Sequence, residues 1–180
     1  MSIVDAPRPT RLTPIRRRDD WRIWNLVVLG SLSAYSTGIG WQAQLVSYPL
    51  YRNVPPDAFA DYHEAYNRAI PFVVIVPGFL TFLAGIAFYW TKPKELPRAL
   101  GLVVSVAGAI ALGTTVLWAI PKHDELDRIG LSESTIDSLL TANLVRSIAL
   151  TVSAVALAWG VRALIDGRRA NGSVTAREPA

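Results

Sequence analysis

Four apolar stretches, each about as long as a bilayer is thick, constrain this chain more than any other feature. A transmembrane helix needs roughly 20 mostly apolar residues. Stretches of that length lie at about 21–47, 70–90, 100–120 and 139–165. Four buried helices of a soluble bundle would each carry a polar face, and 70–90 and 100–120 have almost none. The reading is an all-α, polytopic membrane protein: a four-transmembrane-helix bundle over 19–166, with disordered basic tails at 1–18 and 167–180. Trp21, Trp24, Trp41, Trp90, Trp118 and Trp159 lie near stretch ends, as aromatic belts do. Gly85, Ala87, Gly101, Ala107, Gly108, Ala109 and Gly113 allow close helix approach where water supplies no driving force.

Orientation follows from Lys and Arg. One side of this topology holds thirteen of them, the other only Arg52, Arg68, Lys122 and Arg128, and Arg146 lies inside a stretch. Both termini are therefore expected in the cytoplasm, with the protein multi-pass in the plasma membrane. The first stretch reads as a retained anchor rather than a cleaved signal, because no small-x-small site follows it. The net charge is +4. The basic tails suit anionic lipid rather than nucleic acid, for which no aromatic platform is present. Expected partners are the lipid bilayer and a hydrophobic small molecule, and a homo-oligomer is compatible with the sequence. The chain has no Cys, which excludes thiol chemistry, iron–sulfur clusters and thiolate zinc sites. No P-loop, dinucleotide fingerprint or nucleophile elbow occurs.

The unusual polar residues collect on the outer side. Between the first two stretches, PPDAFADYHEAYNRAIP reads as a short extracytoplasmic helix with Asp57 as N-cap. Its i, i+3, i+4 spacing puts Phe59, His63, Tyr66, Asn67 and Ile70 on one face. Asp61 and Glu64 lie to the flank, with Glu64 spaced to pair with Arg68. His123 follows the third stretch and reaches the same interface. Ser134 and Asp137 resemble a capping box opening the fourth helix. Asn143 and Arg146 follow within three turns. A charge inside a span costs roughly 2.5–3.5 kcal/mol at mid-helix, so Arg146 should face the bundle. Gln42 and Gln44 end the first stretch, Gln44 nearer the rim. The inner half has little polar beyond Asn25 and hydroxyls. One-sided polarity favours a single outer pocket over a path across the bilayer.

These residues support two kinds of chemistry. His63, His123 and Glu64 form a candidate ligand set for copper or iron. Without a metal, His63 or His123 acts as general base while Arg146 and Asn143 hold an oxyanion. Gln44, Tyr66 and Asn67 are candidate substrate contacts. The cofactor stays open between copper, iron and none. Against this stands a non-enzymatic accessory or small-ligand-binding protein, in which Arg146 pairs with Asp61, Glu64 or Asp124 as a structural lock.

Three pieces carry a family likeness: QAQLVSYPLY ending the first stretch, Pro121, His123 and Leu126 after the third, and Asn143 with Arg146 in the fourth. They resemble the anthrone-oxygenase-like family of small four-helix integral membrane proteins. The resemblance implies an oxygenase acting on an aromatic or polyketide-like substrate, a monooxygenase-type oxidoreductase with Arg146, Asn143 and His123 carried over. That family often has Asn at the position of His123, and the YHEAYNR helix has no counterpart in the match.

Overall fold

The computed structural model describes residues 20–175, with side chains over 21–169. Every regular element among them is helical. The elements are α1 (Asp20–Gln42), α2 (Tyr48–Leu50), α3 (Phe59–Ala69), α4 (Val76–Thr91), α5 (Arg98–Thr114), α6 (Ile120–Ile129) and α7 (Glu133–Thr175). α1 packs on α4 and α7, and α5 packs on the same two, which closes a four-helix ring. The short 92–97 and 130–132 connections make sequence neighbours antiparallel.

Three helices are long and apolar enough to cross a membrane: Pro71–Thr91, Arg98–Ile129 and Glu133–Arg169. Their most apolar windows are only 28%, 39% and 28% buried inside the protein. The outward faces carry Leu80, Leu83, Leu102, Val106, Val152 and Val155, all exposed. A face this apolar is stable against lipid rather than water. α1, diluted by Ser, Thr and Gln, is not among these three helices.

Three turns are widened to π geometry, at Ala43–Ser47, Pro71–Ile75 and Thr115–Ala119. The N–H groups of Tyr48, Val76 and Ile120 reach back five residues, to the carbonyls of Ala43, Pro71 and Thr115. The next residue is a proline each time: Pro49, Pro77 and Pro121. A proline within a helix has no N–H, and its ring collides with the carbonyl four residues back. A wider turn ahead of it relieves the collision. The carbonyl so orphaned by Pro77 is that of Val73, and the Tyr35 hydroxyl donates to it at 2.9 Å.

The ring is tightest where α4 meets α5. A Cβ on Gly108 would sit 2.8 Å from the Phe82 carbonyl oxygen and 3.0 Å from the Ile86 nitrogen. Beside it, Ser105 Oγ donates toward the carbonyls of Gly85 (3.1 Å) and Ile86 (2.8 Å). Small residues thus convert directly into backbone contact. At the end of the bundle away from α3 and α6, Arg22 donates to the carbonyls of Trp90 and Lys92, at 2.9 and 2.7 Å.

Two helix starts differ from the sequence expectation. Asp57 does not cap α3: the N-cap position is Ala58, with no side-chain cap bond. The start of α7 is held by Ser132, whose Oγ accepts the Thr135 N–H at 3.4 Å, rather than by Ser134. α7 runs on through Thr175. The expected N-terminal tail at 1–18 lies outside the described residues.

Candidate functional site

The site is assembled where α3, α6 and the ends of α1 and α7 meet. α3 uses its apolar face to bury Phe59 and His63, both fully, and leaves Asp61 and Glu64 exposed. α6 continues the α5 helix past the widened turn at Thr115–Ala119 that accommodates Pro121. Along α6, His123, Leu126 and Asp127 fall on one side at i+3 and i+4. Leu126 is buried in the outer core with Tyr48, Tyr51, Phe59, Ile136 and Leu139. Packing α3 on α6 through these residues brings the two histidines edge to edge.

Their rings are near-coplanar, with centroids 5.3 Å apart and planes 16° apart, and His63 Nε2 lies 3.1 Å from His123 Nδ1. His63 Nδ1 lies 2.6 Å from Asp127 Oδ1. His123 Nε2 lies 3.2 Å from the Tyr48 hydroxyl. One proton assignment satisfies the whole chain. An ionised carboxylate only accepts, so His63 Nδ1–H donates to Asp127. His63 Nε2 is then an acceptor and takes Nδ1–H of His123. His123 Nε2 in turn accepts Tyr48 O–H. Asn67 Nδ2 donates to both oxygens of Asp127, at 3.2 and 3.0 Å, and fixes the carboxylate. His63 is clamped by stacked Phe59 and by Tyr51 edge-on. Burial, then neighbouring Tyr66, pushes the Tyr51 phenol up. Burial, then Tyr48, pushes Tyr66 up to about 12. Both therefore stay protonated wherever the protein works.

The relay ends at Tyr48, which lines a largely apolar cleft between α1, 71–75, α4 and α7. Tyr66, Thr115 and Arg146 line it too. Arg146 donates to Asn143 Oδ1 at 2.5 Å and to Thr115 Oγ1 at 3.3 Å. Asn143 is fully buried and donates to the Gly40 carbonyl (3.0 Å) and to Gln44 Oε1 (2.8 Å). At Gly40 the neighbouring helix comes close enough that an added Cβ would push the Ser147 hydroxyl, 2.7 Å away, to another rotamer. Arg52 straps the outer end shut with bonds to Glu133 (2.6 Å) and Asp137 (2.5 Å), which raise its pKa further.

The expected residues thus divide. His63, His123 and Asn67 come together in the relay, and Gln44, Asn143 and Arg146 form a second string. Tyr66 stacks beside both histidines at 6.4 Å. Glu64 joins neither group, because it pairs with Arg68 at the surface. The expected ligand set of His63, His123 and Glu64 is not assembled. No group of three His, Asp or Glu able to hold a metal occurs among the described residues. Both nitrogens of each imidazole are already engaged, one by the other ring and one by Asp127 or Tyr48. The expected lock partners of Arg146, namely Asp61, Glu64 and Asp124, are replaced by neutral Asn143 and Thr115. Sequence reasoning missed Tyr48 and Asp127. Asp127 was signalled by its i+4 spacing from His123, and Tyr48 only by its place before Pro49.

No family model, curated protein or solved structure matches the chain.

Proposed function

We propose that the chain is a four-span plasma-membrane enzyme whose outer cleft deprotonates a hydrophobic substrate. α1 is the fourth span. The closed ring of four helices supports this, as do Trp24, Val27, Val28 and Tyr35 exposed along its outside. Both termini lie on the Lys/Arg-rich cytoplasmic side, which leaves α3 and α6 extracytoplasmic.

The observation that carries the activity is the directed chain from Tyr48 through His123 and His63 to Asp127. It ends inside an apolar cleft that also holds a guanidinium. In the resting arrangement Tyr48 donates to His123. When Tyr48 gives its proton along the chain it becomes the base that takes one from the substrate. Arg146, steadied by Asn143 and Thr115, faces the negative charge that develops on substrate oxygen. Such a site needs no metal to form the anion. For an aromatic, polyketide-like substrate with an acidic methylene, the carbanion reduces dioxygen. The methylene becomes a carbonyl, and one oxygen atom enters it while the other leaves as water. This is the oxygenase-like activity that the family resemblance implies.

Two measurements test the reading. The relay requires both imidazoles neutral with the proton on Nδ1, which 15N NMR of histidine-labelled protein in nanodiscs reads directly. A proton on Nε2 of His63 removes the relay. Membranes carrying wild-type protein should oxidise an anthrone to its quinone with oxygen uptake, and Tyr48→Phe should fall to background. Equal rates in both would refute the catalytic role of Tyr48.

A further inference from the structure

We propose that the cleft binds an amphiphilic monoanion, a long-chain carboxylate that enters from the outer half of the bilayer and sets its carboxylate on Arg146. This rests on the cleft being the binding site proposed above, but not on the proton relay.

The first argument is charge. Arg146 is half-buried within a membrane-spanning helix, where an uncompensated cation is costly. Its hydrogen-bond partners, Asn143 and Thr115, are neutral, and no described carboxylate lies within ion-pair distance. Those two bonds orient the guanidinium and leave three of its five N–H donors for a ligand. A planar carboxylate matches the remaining fork and neutralises one charge with one charge. A phosphate dianion would leave a surplus negative charge in an apolar site.

The second argument is shape. The lining includes Ile39, Val74, Phe79, Phe82 and Leu150, and the enclosed space of about 80 Å³ takes only the head group and first methylenes, so the rest of the chain lies along the apolar outside. The third is access. Tyr35, Val73 and Ile75 line the cleft and are 44%, 50% and 41% exposed on the apolar outside. In a bilayer that exposure faces acyl chains, so an amphiphile enters sideways without crossing water.

The test is a fluorescence titration of wild-type protein in zwitterionic nanodiscs with parinaric acid, and with its methyl ester as the uncharged control. The acid should bind saturably and the ester at least about tenfold more weakly, the scale of one lost charge-assisted bond. Arg146→Gln should weaken the acid by a similar factor and leave the ester unchanged, while Arg146→Lys keeps part of the preference. Equal binding of acid and ester to wild type would overturn the proposal. So would undiminished acid binding by Arg146→Gln that retains wild-type helical content and melting. Loss of acid binding in discs doped with phosphatidic acid would assign the site to a phospholipid headgroup instead. The relay is read separately by histidine tautomers, so either reading can fail alone.

Discussion

Removing the carboxylate of Asp127 should cost the fold a calculable amount, because the group it serves is a buried imidazole. His63 is fully buried, and its Nδ1 sits 2.6 Å from Asp127 Oδ1. A hydrogen bond to a charged partner contributes about 1.5–3 kcal/mol net. The Asp127 side chain is 44% exposed, which places this bond at the lower end, near 2 kcal/mol. Asp127→Ala removes the acceptor of the Nδ1–H, and because the Asp127 side is 44% exposed, water or the Asn67 amide replaces part of it. The two bonds from Asn67 add little, since that amide is half-exposed and turns to solvent. The assay is reversible unfolding in mixed micelles of four proteins: wild type, Asp127→Ala, His63→Phe and the double variant. Asp127→Ala should be destabilised by about 2 kcal/mol, and the cycle should show a coupling of about 1.5–2 kcal/mol. In the His63→Phe background, Asp127→Ala should be nearly silent. A coupling below about 0.5 kcal/mol would mean that the two groups do not share a proton, and the direction assigned to the relay would lose its anchor.

Two other outcomes follow from the packing and the phenols. Gly108→Leu should prevent the close α4–α5 crossing, because the added atoms meet the Phe82 and Ile86 backbone rather than a movable side chain. A loss of about 1–3 kcal/mol or failure to insert is expected, and wild-type melting would refute the contact. Tyr66 has its pKa raised from 10.0 to about 12, so above pH 10 the unfolded chain sheds a proton that the folded one keeps. That stabilisation is complete below pH 10 and is lost as pH climbs to about 12. Tyr66 alone should remove about 2 kcal/mol after allowance for its partial exposure, and Tyr51 should remove more. Unfolding titrations between pH 9 and 12, with phenolate absorbance followed alongside, check this, and a flat unfolding free energy would refute it.

What the sequence exposed and what it hid divide along a physical line. Periodicity on α3 was sufficient to place His63 on the buried face and Glu64 on the open one, because a short amphipathic helix has only one way to lie on a core. The cost of a charge in lipid was sufficient to turn Arg146 inward. Neither argument reaches across the chain. Tyr48 meets His123 over 75 residues, and Asp127 meets His63 over 64. Local pattern holds no information at that separation. The ligand set of His63, His123 and Glu64 does not assemble for the same reason. Composition supplied two imidazoles and a carboxylate, but Glu64 had a nearer partner in Arg68, and the carboxylate that arrived at His63 came from α6. The misplaced caps at Asp57 and Ser134 are smaller errors of one kind, in which a favourable residue lost to a neighbour one or two positions away.

The prolines tie these observations into a single device. Pro49, Pro77 and Pro121 stand at three helix passages, and each forces a π turn in the residues before it. All three turns lie at the same end of the bundle, where the cleft is. Ala43, Val73, Val74, Ile75 and Thr115 belong to the widened turns and line the cleft together. A regular helix presents a continuous ridge to its neighbours, while a widened turn loosens that ridge and frees a carbonyl. Tyr35 covers one such carbonyl, at Val73, with its hydroxyl. Tyr48 and His123 lie just beyond two of the widened turns, in segments whose direction those turns set. The apolar stretches supply a bundle that any four such helices would form. The three prolines open that bundle at one depth and aim Tyr48 and His123 at each other beside the opening. That is why the polar chemistry of this chain sits at one end and in one place.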